Sequence, residues 1–176
     1  MIQISTLMWT FALFFSLVGF IRGWNRELVA TAGILLTVFA LFQFDGLLRG
    51  LIFGFLERDQ VFLVQVGIFL VMTWMVYQSR QFLGVARRGQ ENLQSSALGG
   101  LVGFVNGYLI GGSLWYFLDI NEYPLSQFVI APGLNSPSAA QLNMMPMVLL
   151  AGGPSGSGDL LTFAVIALLF FVLVVV

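Results

Sequence analysis

Cysteine, histidine and lysine are all absent from the 176 residues, and only 9% of positions carry a charge. Without cysteine there is no disulfide, no thiolate nucleophile and no iron–sulfur ligand, and without histidine the imidazole ligation usual for haem and common for zinc is missing. Ser-His and Cys-His catalysis lose their base for the same reason. The sequence thus offers no catalytic, cofactor-binding or metal-binding set, and the expectation is a protein that is not an enzyme and holds no cofactor. Arginine is the sole basic type, with seven residues against eight acidic ones, and no basic cluster exceeds Arg87-Arg88. That leaves no footprint for nucleic acid.

What fills the chain instead is apolar. Hydrophobic residues make up 59%, mean hydropathy is +0.95 and phenylalanine alone occurs 18 times, while the 9% charged share compares with about 25% in ordinary soluble domains. The bilayer must therefore be part of the solvent. Residues 1–21 are uncharged and long enough for a hydrocarbon core of about 30 Å. They read as a retained first span rather than a signal peptide, because no positive region precedes them and no small-residue cleavage site follows. Residues 28–44 form a second span, joined to the first by the short link Arg22 to Arg26 as an antiparallel hairpin. Residues 45–59 place Leu47, Leu48, Leu51, Ile52, Phe55 and Leu56 at helical spacing but are too short to cross, which predicts an interfacial or re-entrant helix. Residues 61–79 and 98–118 give the third and fourth spans, and 160–176 a fifth at the lower limit of length.

The predicted fold class is an all-α polytopic membrane bundle of four to five transmembrane helices plus one short amphipathic or re-entrant helix. It divides into a four-span module over 1–118, an apolar Pro/Gly-rich extramembrane segment over 119–159, and a C-terminal span over 160–176. All five prolines and the run GGPSGSG fall between 120 and 158, so much of that stretch should be loop. Its apolar pieces, FVIAPGL at 128–134 and MMPMVLLA at 144–151, could meet headgroups, another protein, or the chain's own helices. Ser155 and Ser157 read as linker residues.

The arginine bias places the N-terminus outside, with Arg22 to Arg26 and Arg80 to Ala97 as cytoplasmic links. Arg22, Arg26 and Trp24 are then expected to anchor the inner face and Trp115, Tyr116 and Tyr123 the outer one, with Tyr77 also near the inner face and Glu27 at the positive end of the second helix. Every Asp, Glu and Arg lies at or beyond a span end, so no buried charge of the kind an ion-coupled transporter needs is expected. The adjacent Glu57 and Asp59 read as a solvated edge beside Arg58.

Gly99, Gly103, Gly107 and Gly111 recur at every fourth residue of the fourth span, with Gly100 and Gly112 beside them. A helix puts such residues on one face, and a face without side chains lets another backbone approach closely. Spacing leaves open whether that backbone belongs to the same chain, a second copy or a different protein. Gly46, Gly50 and Gly54 repeat the spacing in the short segment, and Gly19 and Gly23 at the end of the first span. Gln65 and Asn106, the strongly polar residues well inside spans, are expected to hydrogen-bond between helices.

GFIRGWNREL, with Gly19, Arg22, Gly23, Arg26, Glu27 and Leu28, resembles the G-x-x-R-G-x-x-R-E-L turn of the colicin V production (CvpA-like) membrane proteins. LGGLVGFVNGYLIGG resembles that family's second block, a D-R-x-L-G-x-x-x-G-x-x-R-G pattern. Ser95-Ser96 stands here where the pattern has Asp-Arg, and Asn106 where it has Arg. The resemblance implies a bacterial inner (cytoplasmic) membrane protein associated with export of a peptide toxin or with envelope homeostasis, without a catalytic residue. The residues themselves point to a non-catalytic accessory or structural subunit packing within a larger membrane complex, for example a respiratory or photosynthetic electron-transfer complex. Its partners would be other integral membrane subunits and lipids, with a homo-oligomeric CvpA-like export or transport component as the alternative.

Overall fold

The computed structural model describes residues 3–51, 53–78, 93–124 and 129–175. Helix α1 (Ile4–Arg22) runs until its first charge and ends at Gly23. Gly23 has φ 78°, a conformation that side chains disfavour, and its N–H donates to the Gly19 carbonyl at 2.9 Å. Helix α2 (Trp24–Gln43) starts at once, so the break between the two is a single residue. Helix α3 (Asp45–Leu51) and a 3-10 turn at Phe53–Phe55 lead into α4 (Arg58–Gln78), and α5 (Leu93–Ile120) is the longest element. After it come α6 (Pro137–Ala140), a 3-10 turn at Leu142–Met144, α7 (Pro146–Ala151) and α8 (Asp159–Val175). Ser136 caps α6 by accepting from the Ala139 N–H at 3.1 Å.

The protein is all-α. Four helices, α1, α2, α4 and α5, are long and apolar enough to cross a membrane, which makes the chain a multi-pass membrane protein. Helix α8, with 17 residues, is shorter than these four.

Helix α5 sits at the centre. It packs most extensively on α1 and next on α2, while α4 and α8 lie mainly against α2. Residues early in α5 meet the end of α1, and later ones its start, so this central pair is antiparallel. The expected hairpin of the first two spans is altered by this arrangement: α1 and α2 touch only slightly, because each packs on α5 instead. The expected single helix over 45–59 is also corrected, since α3 stops at Leu51 and Arg58 already belongs to α4. No residue of α3 is buried.

Between 120 and 158 the chain is more structured than its prolines predict. Pro starts α6 and α7, where its missing N–H is no loss. Met145, Met147 and Ala151 are buried in the core and Pro146 fills the space beside Gly112. The methionine-rich piece is thus packed through Met145, Met147 and Ala151 on the chain's own helices, while Met144 and Leu149 stay exposed. From the other apolar piece, Phe128 lies outside the described residues, and Leu134 is 98% exposed.

Candidate functional site

The glycine face of α5 meets α1. A Cβ atom at Gly99 would sit 2.9 Å from Gly23 Cα, at Gly103 2.9 Å from Gly19 Cα, at Gly107 2.7 Å from Ala12 Cα and at Gly111 3.0 Å from Met8 Cα. These are backbone atoms, which cannot swing aside. The helices therefore gain their contact from dispersion between main chains, the usual association force in lipid. A further close approach, not foreseen from spacing, brings the Val76 side chain of α4 against Gly33 of α2.

Gly46, Gly50 and Gly54 behave differently: among the described residues no other helix of this chain packs on their face. A Cβ at Gly46 or Gly50 meets nothing within 4 Å, and one at Gly54 meets only the Arg49 carbonyl oxygen at 3.4 Å. Gly50→Ala is accordingly expected to leave the unfolding midpoint unchanged or to raise stability by up to about 1 kcal/mol through helix propensity, measured by equilibrium unfolding in mixed detergent. A loss above that size would mean that another backbone does approach α3.

Glu27 corrects a larger expectation. It is 0% exposed, in the first turn of α2, where the ends of α1 and α4 and the body of α5 converge. Arg22 Nη1 donates to Glu27 Oε1 at 2.5 Å, and Tyr77 OH and Asn106 Nδ2 donate to Glu27 Oε2 at 3.1 and 2.8 Å. Asn106 Nδ2 also reaches the Glu27 carbonyl at 3.1 Å. The Arg22 guanidinium lies over the Tyr77 ring, 4.3 Å from its centroid. Arg22 is only 12% exposed, so it does not extend to lipid phosphates as an anchor. The charge is buried because α2 begins immediately after Gly23, which turns its first turn inward rather than leaving it in a solvated link.

A second polar layer occupies the opposite end. Asp45 Oδ2 accepts from Arg49 Nε and Asp45 Oδ1 from Gln65 Nε2, both at 2.8 Å. Asn121 Nδ2 donates to Gln65 Oε1 and to the Phe117 carbonyl, also at 2.8 Å, and Arg49 Nη2 donates to Asn121 Oδ1 at 3.4 Å. Gln65 and Asn106 thus each bridge helices, and each bridges to a carboxylate. Between the layers Phe69 and Phe117 stand edge to face with centroids 5.6 Å apart. Thr73 Oγ1, Asn106 Oδ1 and Ser113 Oγ are buried without a hydrogen-bond partner among the described residues.

Trp115 and Tyr116 are buried, which corrects their reading as interfacial anchors. Helix α5 runs on past them to Ile120, and Glu122 and Tyr123 follow at positive φ, folding Tyr123 back so that its hydroxyl accepts from Trp115 Nε1 at 3.0 Å and donates to Asp119 Oδ1 at 3.1 Å. Burial pushes the Tyr123 hydroxyl up to about 12, so it stays a neutral donor. Trp24 is half-buried with its ring edge-on to Phe171, and Arg26 is half-buried. Arg80, Arg87 and Arg88 lie outside the described residues. Glu57 and Asp59 are exposed, Arg58 pairs with Glu122, and Ser157 Oγ donates to Asp159 Oδ2 at 2.7 Å at the start of α8. Among the described residues no group of three acidic side chains could hold a metal.

The second polar layer lines a cavity of about 480 Å³. Leu41, Gln65, Tyr116, Phe117 and Met147 form its buried floor, and Gln43, Gly46, Pro154 and Ser157 its exposed rim. Compared with known proteins, the chain matches no family model, no curated protein and no solved structure.

Proposed function

We propose that this chain is a non-catalytic integral membrane subunit that braces a larger membrane assembly, in a bacterial inner membrane with its N-terminus outside. The observation that carries the reading is the apolar surface left uncovered beyond the span ends: Leu51, Phe55, Ile130 and Leu134 are exposed, Phe55 to 92%. Apolar side chains this exposed outside the spans suit a contact with another integral membrane protein, which covers them in this reading. The interior supports the same view. Gly99, Gly103, Gly107 and Gly111 of α5 are met by α1 and Gly23, and the buried carboxylate of Glu27 and the half-buried one of Asp45 are each matched by an arginine of the same chain. A respiratory or photosynthetic complex is one assembly of this kind.

Purification from native membranes in mild detergent, followed by native mass analysis, tests the proposal. The expected result is a stoichiometric partner whose loss accompanies Phe55→Ser and Leu134→Ser. Recovery of the native chain alone or as a homo-oligomer would contradict it.

A second reading, an export or transport component of the CvpA-like type, is favoured by Glu27. An ionisable residue buried among spans is a feature of ion pathways, and here it joins the two sequence blocks that carry the resemblance, with Arg22 on one side and Asn106 on the other. The unpartnered Thr73, Asn106 and Ser113 oxygens add polar positions inside the bundle. A solute or proton flux in reconstituted vesicles that Glu27→Gln abolishes, with the chain still folded, would move the assignment to this reading.

A further inference from the structure

We propose that the cavity between α2, α3, α4, α5, α7 and the 154–157 loop binds the head of a zwitterionic phospholipid, with an ammonium near Asp45 and a phosphate near Arg49. At about 480 Å³ the cavity is in the size range of small-ligand sites. Such sites are mostly apolar with a few convergent polar groups, and this one has that composition. Leu41, Phe117 and Met147 supply an apolar floor, while Asp45, Arg49 and Gln65 gather on one wall.

The charges select the head. Asp45 and Arg49 are both about a third exposed, at 31% and 37%, and their side chains pair at 2.8 Å. An anion drawn to Arg49 meets the Asp45 carboxylate beside it, and a cation drawn to Asp45 meets the guanidinium. A head carrying both signs within one short linkage satisfies each. Both groups retain bonding capacity. Arg49 uses Nε and Nη2 for Asp45 and Asn121, out of five N–H donors, and the Asp45 oxygens each accept one bond where a carboxylate has about four acceptor sites. Beyond the cavity, Glu57, Asp59, Asp119, Glu122 and Asp159 stand at the same end of the bundle with Arg49 and Arg58 as the described cations there, a field that disfavours an anionic lipid. The apolar floor beside a polar wall, at the end of helices that cross a membrane, favours an amphiphile over a soluble solute.

Gly46 provides a test that leaves the fold intact. It lies on the rim, and a side chain there meets nothing within 4 Å, so Gly46→Leu narrows the entrance without touching the core and improves the helix propensity of α3. The full chain in maltoside detergent is titrated with dioctanoyl phosphatidylethanolamine, with the matching phosphatidylglycerol and with free phosphoethanolamine, and bound species are counted by native mass spectrometry. The expected result is one phosphatidylethanolamine bound at least about tenfold more tightly than phosphatidylglycerol or free phosphoethanolamine, a difference in binding free energy of about 1.4 kcal/mol. Gly46→Leu and Arg49→Ala each weaken it by at least about tenfold, Gly46→Leu without lowering the unfolding midpoint. Equal affinity for the two lipids, undiminished binding by a folded Gly46→Leu, or equally tight binding of free phosphoethanolamine would each overturn the proposal, the last by making the site one for a soluble solute.

Discussion

Gly107→Ala is expected to lower the stability of the folded chain by about 3 kcal/mol, the upper end of ordinary overpacking. Alanine normally strengthens a helix relative to glycine by about 1 kcal/mol, so the sign of the change is itself informative. At Gly107 the added carbon would meet the carbonyl oxygen of Phe11 and lie 2.7 Å from Ala12 Cα. Both neighbours are main-chain atoms of α1, and relief requires moving the whole helix. That movement would also loosen the neighbouring contacts at Gly103 and Gly111, which share the same face. Gly107→Leu should prevent α1 from docking altogether. Unfolding in mixed detergent, followed by the fluorescence of the four tryptophans, measures the loss. A change within about 0.5 kcal/mol, the range of ordinary surface substitutions, would mean that α1 and α5 are not in backbone contact.

Glu27→Ala is expected to cost about 3–5 kcal/mol, the loss typical of removing one partner of a buried ion pair. It would leave Arg22, 12% exposed, without its charge partner, and would take the carboxylate acceptor from Tyr77 OH and Asn106 Nδ2. Glu27→Gln keeps an oxygen for one of these donors and isolates the charge, so it should lose less. The double replacement Arg22→Met with Glu27→Met removes both charges and should be more stable than either single change. This ordering distinguishes a neutralised pair from a lone structural carboxylate. If Glu27→Ala unfolds no more readily than the native chain, the ion pair contributes nothing to holding the ends of α1, α2 and α4 on α5.

The two sites differ in how far the sequence reveals them. The α5 glycines announce a close contact because four of them in register are costly in a helix without one. Their spacing says which side lacks side chains, and nothing about whether another backbone arrives. The same spacing in α3 therefore looked equivalent, and there the face of Gly46 and Gly50 is open. By sequence, residues 22–26 read as a short cytoplasmic link, which puts Glu27 at a membrane border. The single-residue break at Gly23 turns that stretch into helix, and the carboxylate goes inward. A signal did exist, since the amides of Asn106 and Gln65 inside spans needed polar partners, and their partners are Glu27 and Asp45.

Trp115 and Tyr116 illustrate a different limit. Aromatic residues near a span end are common interfacial anchors, and composition alone favours that reading. Their burial depends on the end of α5, where Glu122 and Tyr123 take positive φ without a glycine. That turn folds Tyr123 onto Trp115, a tertiary arrangement with no mark in the local pattern. Proline at the first positions of α6 and α7 is the opposite case: a helix breaker in the interior is a helix starter at the N-terminus, and position relative to an unseen boundary decides which.

Helix α1 fills the glycine face of α5 within a single chain, and the proposed partner would then meet the surface beyond the span ends. The absence of native cysteine allows a direct test. A Cβ at Gly100 would lie 3.6 Å from Phe20 Cβ, within the range of about 3.5–4.5 Å that a disulfide accepts. Oxidation of the Phe20→Cys, Gly100→Cys double variant in native membranes should form a bond inside one chain, seen as a faster-migrating monomer that reverts on reduction. A covalent dimer, or no cross-link under conditions that oxidise exposed thiols, would contradict the account by showing that the glycine face meets another copy or another protein.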